Sequence, residues 1–237
     1  MAVVAHAATS LVGAGADHGE GDCVWRLRSG EHVTTQDRCG AAPLGRVRAP
    51  MSVDGKQELR ARLRALRDAI APADRASMAQ QLAVLGAASL RERAANAIVA
   101  AYWPIRSEAD PRQLARSLAQ LGAQLALPVV HGDDMTFRAW SGGEGDLVPA
   151  GFGALGPLSD ATVVAPTIVL APLLGFDASG QRLGWGKGYY DRYLARCTVR
   201  PFVVGVAFSC QEIAAIPSEA HDHRLDAIVT EVGYRCC

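Results

Sequence analysis

Residues 168–194 read IVLAPLLGFDASGQRLGWGKGYYDRYL, and this stretch decides the fold. Its opening, Ile168 to Leu174, is a short apolar run rich in β-formers and bounded by Gly175, which predicts a buried strand. Its close, Tyr189 to Arg196, places apolar and aromatic residues at helical spacing. Between them runs a loop with Gly180, Gly184, Gly186 and Gly188, and with Arg182 and Lys187 interleaved. Glycine lets backbone N–H groups approach a ligand without a side chain in the way. A helix starting after Gly188 adds unpaired N–H groups and a partial positive charge. Strand, cationic glycine loop and helix together make an anion cradle whose natural guest is a phosphate chain. The spacing is neither a Walker A loop, since Gly188 follows Lys187, nor a Rossmann fingerprint, since the wider third spacing is missing. A plain flexible turn is the competing reading of the glycines alone. Tyr189-Tyr190-Asp191 weighs against it, because an acid in the first helical turn can cap N–H groups or hold a cation against phosphates.

This stretch resembles the signature of the 5-formyltetrahydrofolate cyclo-ligase family, also called methenyltetrahydrofolate synthetases. That signature has an apolar strand, Phe-Asp, then Arg-Leu-Gly-x-Gly-x-Gly-Tyr-Tyr-Asp, and here the match is nearly unbroken. The resemblance extends over roughly residues 53–233 in the same order.

Composition sets bounds that agree with it. A chain of 237 residues holds one substantial domain or two small ones, and 49% apolar residues suffice for a core. A formal net charge of zero argues against a general nucleic-acid binder. No apolar run approaches a membrane span, and the start of the chain has no basic n-region of a signal peptide. The six cysteines form no CxxC pair and no zinc-like cluster, so a reducing cytoplasm fits. Cys236-Cys237 reads as an exposed tail. Lys56 and Lys187 are the chain's only lysines.

Residues 1–50 lack sustained periodicity and are expected to be a poorly ordered extension. Met51 stands directly before the first patterned segment, which makes it the expected true start, with 51–237 as a single α/β domain. From Gly55 the pattern is helical, with Leu59, Leu63, Leu66 and Ile70 on one face. Lys56, Arg60, Arg64 and Arg67 form a basic face at turn spacing, which by itself reads as a solvated stripe. Family members open with Lys-x-x-x-Arg on an N-terminal helix that reaches the ATP phosphates, and Lys56 and Arg60 occupy those places.

Ala97 to Trp103 predicts a strand, and Asp110-Pro111 the N-cap and first residue of a helix reaching Leu121, closed by Gly122. Gln124 to Val130 is the next strand, and Met135 to Trp140 alternates like a half-buried one. This βαβ rhythm predicts a three-layer α/β sandwich with a mostly parallel, Rossmann-like central sheet flanked by helices. Glu108 falls at a strand end, where open α/β sheets bind ligands; a helix-start carboxylate is the plainer reading. The resemblance gives Glu108 a folate contact and Trp103 an apolar wall position. It continues in Gly151-Phe152-Gly153, then departs where many members have Glu-Pro and this chain has Gly156-Pro157.

Beyond the loop, Phe202 to Phe208 and Ala227 to Thr230 predict strands. His221-Asp222-His223 lacks a third ligand at recognisable spacing for a transition metal. Oxygen ligands suit magnesium, which travels with phosphates. The resemblance places Asp191 and Asp226 near Mg²⁺; His221 and Asp222 match the same motif, with structural capping an equal account.

As a whole, the resemblance implies ATP- and Mg²⁺-dependent conversion of 5-formyltetrahydrofolate to 5,10-methenyltetrahydrofolate, releasing ADP and phosphate. It implies an ATP site of Lys56, Arg60, Arg182, Gly184, Trp185, Gly186, Lys187, Gly188, Tyr189 and Tyr190. The folate site would take Trp103, Glu108, Gly186, Lys187 and Tyr189. Small-molecule substrates, no nucleic acid, no membrane and a monomer are expected. Two other readings stay open from sequence: a non-catalytic nucleotide- or folate-binding module, and an isomerase or CoA-transferase-like enzyme working through Glu108.

Overall fold

The computed structural model describes residues 25–26, 32–33, 53–150, 153–219 and 222–237. Most of the expected N-terminal extension, the Gly151-Phe152 match and His221 lie outside the described residues. At the centre stand five parallel strands in the order β13-β12-β9-β3-β4. They are β3 (Ile98–Ala100), β4 (Gln124–His131), β9 (Ile168–Pro172), β12 (Phe202–Val206) and β13 (Ala227–Val229). Antiparallel wings extend both edges: β5 (Asp134–Trp140) and β8 (Val163–Val164) beyond β4, and β14 (Tyr234–Cys236), β1 (Trp25–Arg26) and β2 (His32–Val33) beyond β13. A small hairpin of β6 (Leu147–Pro149) and β7 (Leu155–Pro157) forms a separate two-stranded sheet packed near β4 and β5.

The apolar run of β9 explains its central place. Ile168 and Leu170 face one core layer with Val204, Val206, Ala227 and Val229. Val169 and Ala171 face the other with Val203 and Ile228. A strand covered on both faces needs both of its alternating sets apolar, and this one has them. The first layer is closed by α2 (Pro72–Ser89) and α4 (Arg112–Gln120), which supply Leu82, Leu114 and Leu118. A short α3 (Arg91–Ala94) links α2 to β3. The second layer is closed by α5 (Tyr189–Arg196) through Leu194. This is the expected three-layer sandwich, with helices on both faces of a sheet that is parallel at its centre.

The first helix, α1 (Val53–Asp68), belongs to neither layer. Its Leu59 and Leu63 pack with Leu183, Ile213 and Ile216 in a third cluster over the glycine loop. Leu63 is fully buried, a contribution of about 2–3 kcal/mol that pins α1 across the carboxyl end of β9. Leu66 packs only partly and Ile70 lies past the helix end, so the expected apolar face is shorter than the sequence suggests.

Element ends differ in instructive ways. β3 stops at Ala100 because the chain turns away through Pro104 and Arg106, the latter at φ +55°. α4 starts one residue later than expected, yet the device survives: the Asp110 carboxylate accepts from the Arg112 amide at 2.9 Å. Gly122 follows the helix at φ +99°, as its closing role requires. Cys236 is no loose tail but the last residue of β14, paired with Ala227.

Candidate active site

The glycine loop leaves β9 through Leu173 and Leu174 and makes a tight hairpin of β10 (Gly175–Phe176) and β11 (Arg182–Leu183). Asp177 holds the turn: its Oδ1 accepts from the Ser179 and Gln181 amides, its Oδ2 from the Ile216 amide. Gly184 to Gly188 then crosses beneath α1 and enters α5. Gly186 sits at φ +90° and Gly188 at φ +66°, left-handed conformations that a side chain disfavours.

Arg60 donates from Nε to the Gly184 carbonyl at 3.0 Å, and its guanidinium lies 3.3 Å from where a Cβ on Gly186 would stand. Arg64 and Arg67 come next along the helix, their guanidinium carbons 5.0 and 5.4 Å from the centre of the Trp185 ring. The basic face of α1 is therefore not a solvated stripe; it is the roof of the loop. Trp185 in turn donates from Nε1 to Glu108 Oε1 at 2.8 Å, and the Ile105 amide donates to Glu108 Oε2 at 3.0 Å. Glu108 is 8% exposed. Burial pushes its carboxyl above the usual carboxylate range, opposed by these two hydrogen bonds and by the Arg67 charge. Glu108, which lies in the loop after β3 rather than at the strand's end, and the glycine loop, 77 residues apart in sequence, are one site.

The other expected residues have their own partners. Lys56 pairs with Glu219, with Asp222 3.9 Å away. The Asp222 carboxylate also accepts from the Glu219 amide at 2.8 Å, a bond between irregular residues rather than a helix cap. Arg182 pairs with Asp191 at 2.5 Å and donates to the His223 carbonyl; the His223 amide reaches the same Asp191 oxygen at 3.2 Å. Lys187 is exposed, and its carbonyl accepts from Arg192 at 2.8 Å. Tyr189 reaches the Gly132 carbonyl at 3.3 Å. Tyr190 packs beside Phe137 with its hydroxyl buried near Glu108 and Arg182 and without a hydrogen-bond partner, and its pKa is raised, chiefly by burial. Trp103 packs against the layer of α2 and α4 with the Arg112 guanidinium 4.4 Å from its ring centre.

Asp191 and Asp226 are not presented alike. Both Asp226 oxygens accept from Arg200 at 2.7 Å, and Oδ2 also from the Val203 amide, so this carboxylate ties β12 to the segment before β13. Among the described residues no group of three or more His, Cys, Asp or Glu could hold a metal ion. Reading the sequence did not single out Arg67 or Ser107. Arg67 is 1% exposed, with Nε on Ser107 Oγ at 3.0 Å, and Ser107 in turn donates to Asp68. A helical stripe of four cations carries no signal for which member the fold will bury.

A parallel α/β sheet with a cation-roofed glycine loop at its strand ends defines an anion-binding enzyme fold. The chain belongs to the 5-formyltetrahydrofolate cyclo-ligase family, whose model matches residues 52–231. A 5-formyltetrahydrofolate cyclo-ligase of Mycolicibacterium smegmatis is 34% identical over 140 residues, covering 56% of this chain and 72% of that one. The cyclo-ligase of Haemophilus influenzae is 29% identical over 179 residues, covering 73% and 95%. Among solved structures, the 5,10-methenyltetrahydrofolate synthetase of Aquifex aeolicus superposes with a TM-score of 0.64 at 31% identity, covering 76% of this chain and 92% of that one.

Proposed function

We propose that this chain catalyses the ATP-dependent cyclisation of 5-formyltetrahydrofolate to 5,10-methenyltetrahydrofolate, with release of ADP and phosphate. The observation that carries the proposal is the joining of Arg60, the Gly184–Gly188 loop, Trp185 and Glu108 in one site of a family member. Nothing in the comparisons favours a binding module or an isomerase.

The chemistry demands little from a protein nucleophile. A formyl amide is a poor electrophile, and its oxygen is a poor leaving group. Transfer of the γ-phosphoryl group to that oxygen gives an iminium phosphate; the neighbouring folate nitrogen attacks the carbon, the ring closes, and phosphate departs with the oxygen. The protein's task is to align the two substrates and neutralise charge. Arg60, Lys187 and the loop amides hold the triphosphate. Lys56 and Arg182 exchange their carboxylate partners for phosphate oxygens as ATP enters, and Gly186, Gly188, Tyr189 and Tyr190 form the loop wall. Glu108, kept acceptor-ready by two donors, orients the folate, with Trp103 farther along the same segment.

Of the two expected magnesium acids, Asp226 accepts hydrogen bonds from Arg200 and the Val203 amide, and Arg200 would have to yield for this carboxylate to reach the ion. Magnesium would be carried by the phosphates, which are its usual ligands with water, with Asp191 the acid nearest the loop in sequence. The working protein is a cytoplasmic monomer whose domain is 51–237; no helix among the described residues is long and apolar enough to cross a membrane.

The test is coupling. Purified chain given Mg-ATP releases phosphate only when 5-formyltetrahydrofolate is present, one phosphate per folate converted. Phosphate release independent of folate, or none with both substrates, overturns the proposal.

A further inference from the structure

We propose that Arg67 is a substrate-binding residue that works with Glu108, donating to an oxygen of the folate while Glu108 accepts from the N–H beside it. This deepens the cyclo-ligase reading and rests on it. An arginine side chain brings five N–H donors. Arg67 uses Nε on Ser107 and Nη1 on the Leu173 carbonyl at a long 3.5 Å, while Nη2 is buried with no partner. The nearby counter-charge does not take that donor, because the hydrogen bonds of Glu108 come from Trp185 and Ile105. A buried cation with an unmet donor is costly, and an apolar side chain would fill the space without that cost.

What covers Arg67 indicates the shape of its ligand. Trp185 lies over the guanidinium and gives its indole N–H to Glu108. The indole is a flat bicyclic ring with one donor at its edge. The planar pyrimidinone ring of a reduced pterin, as in a tetrahydrofolate, presents such an edge and adds a carbonyl next to the N–H. The N–H suits Glu108, and the carbonyl suits the idle Nη2 of Arg67. Such a ligand takes the place of the indole edge on Glu108.

The experiment uses the full chain and Arg67→Lys, which keeps the charge and loses the planar fork. Calorimetry with 5-formyltetrahydrofolate alone should show affinity falling about ten- to a hundredfold, the worth of one hydrogen bond to a charged group. The folate KM should rise in step while the ATP KM holds. A folded Arg67→Lys with unchanged folate affinity overturns the proposal, whatever its melting temperature. Should that variant fail to fold, Ser107→Ala removes the Nε anchor together with the Asp68 hydrogen bond; it should raise the folate KM about three- to tenfold at constant ATP KM. An equal rise in both constants, or in neither, overturns it. Wild-type chain that binds ATP but no folate refutes the cyclo-ligase reading instead.

Discussion

Gly186→Ala tests whether the loop binds in the conformation seen here. At φ +90° an added Cβ is strained by about 1–2 kcal/mol whatever the space around it. The space is also tight: the new methyl would stand 3.3 Å from the Arg60 guanidinium carbon and 3.4 Å from its Nη2. Arginine is long and can yield a few tenths of an ångström, so the backbone dominates the cost and Arg60 adds a smaller displacement from the Gly184 carbonyl. If the loop must hold this shape to bind phosphates, the strain appears as weaker ATP binding. One to two kcal/mol then corresponds to an ATP KM about five- to thirtyfold higher. Gly184→Ala is the structural comparison, since its Cβ meets nothing within 4 Å and it is not at positive φ; its melting temperature should match wild type. Initial rates at varied ATP and saturating folate read the first effect, and thermal melts the second. An unchanged ATP KM and melting temperature in Gly186→Ala would refute the reasoning.

Further outcomes follow from single side chains. Lys187→Met, which removes one exposed cation from the loop, should raise the ATP KM at least about tenfold and reduce its salt dependence; unchanged saturation would remove Lys187 from the phosphate set. Glu108 has a folded-state pKa raised above its ordinary 4.5, so the burial cost is absent when it is protonated and grows as pH rises through the raised value. Stability of wild type relative to Glu108→Gln should therefore fall as pH rises above 4.5, and paired thermal melts across that range check the sign. Asp226→Asn should cost about 1–2 kcal/mol in stability through Arg200 and Val203 while leaving the magnesium dependence of the rate in place. Asp191→Asn, which loses the Arg182 pair, should shift that dependence.

The loop and α5 were legible because their chemistry is local. Glycines with interleaved cations need no partner to be recognised, and Tyr189–Arg196 is helical over the residues its spacing indicated. β9 and β12 were legible from apolar runs that suit a strand covered on both faces, and β4 from a short apolar stretch whose far end, at Val130, is exposed. β14 was not, since Tyr-Arg-Cys has no periodicity and forms by pairing with β13. Local pattern was also silent on the junction of Trp185 with Glu108, and on the burial of Arg67 among four cations that look alike on a helical wheel. Both are tertiary events: the first joins a loop to the segment after β3, and the second follows from α1 packing through Leu63 across the end of the sheet. Asp226 shows the reverse case: family resemblance suggested a metal role, and Arg200, which no motif flagged, takes up the carboxylate.

The central claim is tested most directly by following the near-ultraviolet absorbance of methenyltetrahydrofolate as the chain meets 5-formyltetrahydrofolate and Mg-ATP. The account predicts growth of that band that stops when either ATP or folate is withheld, matched one for one by ADP. A folded chain that binds both substrates and yields no methenyl band would contradict it.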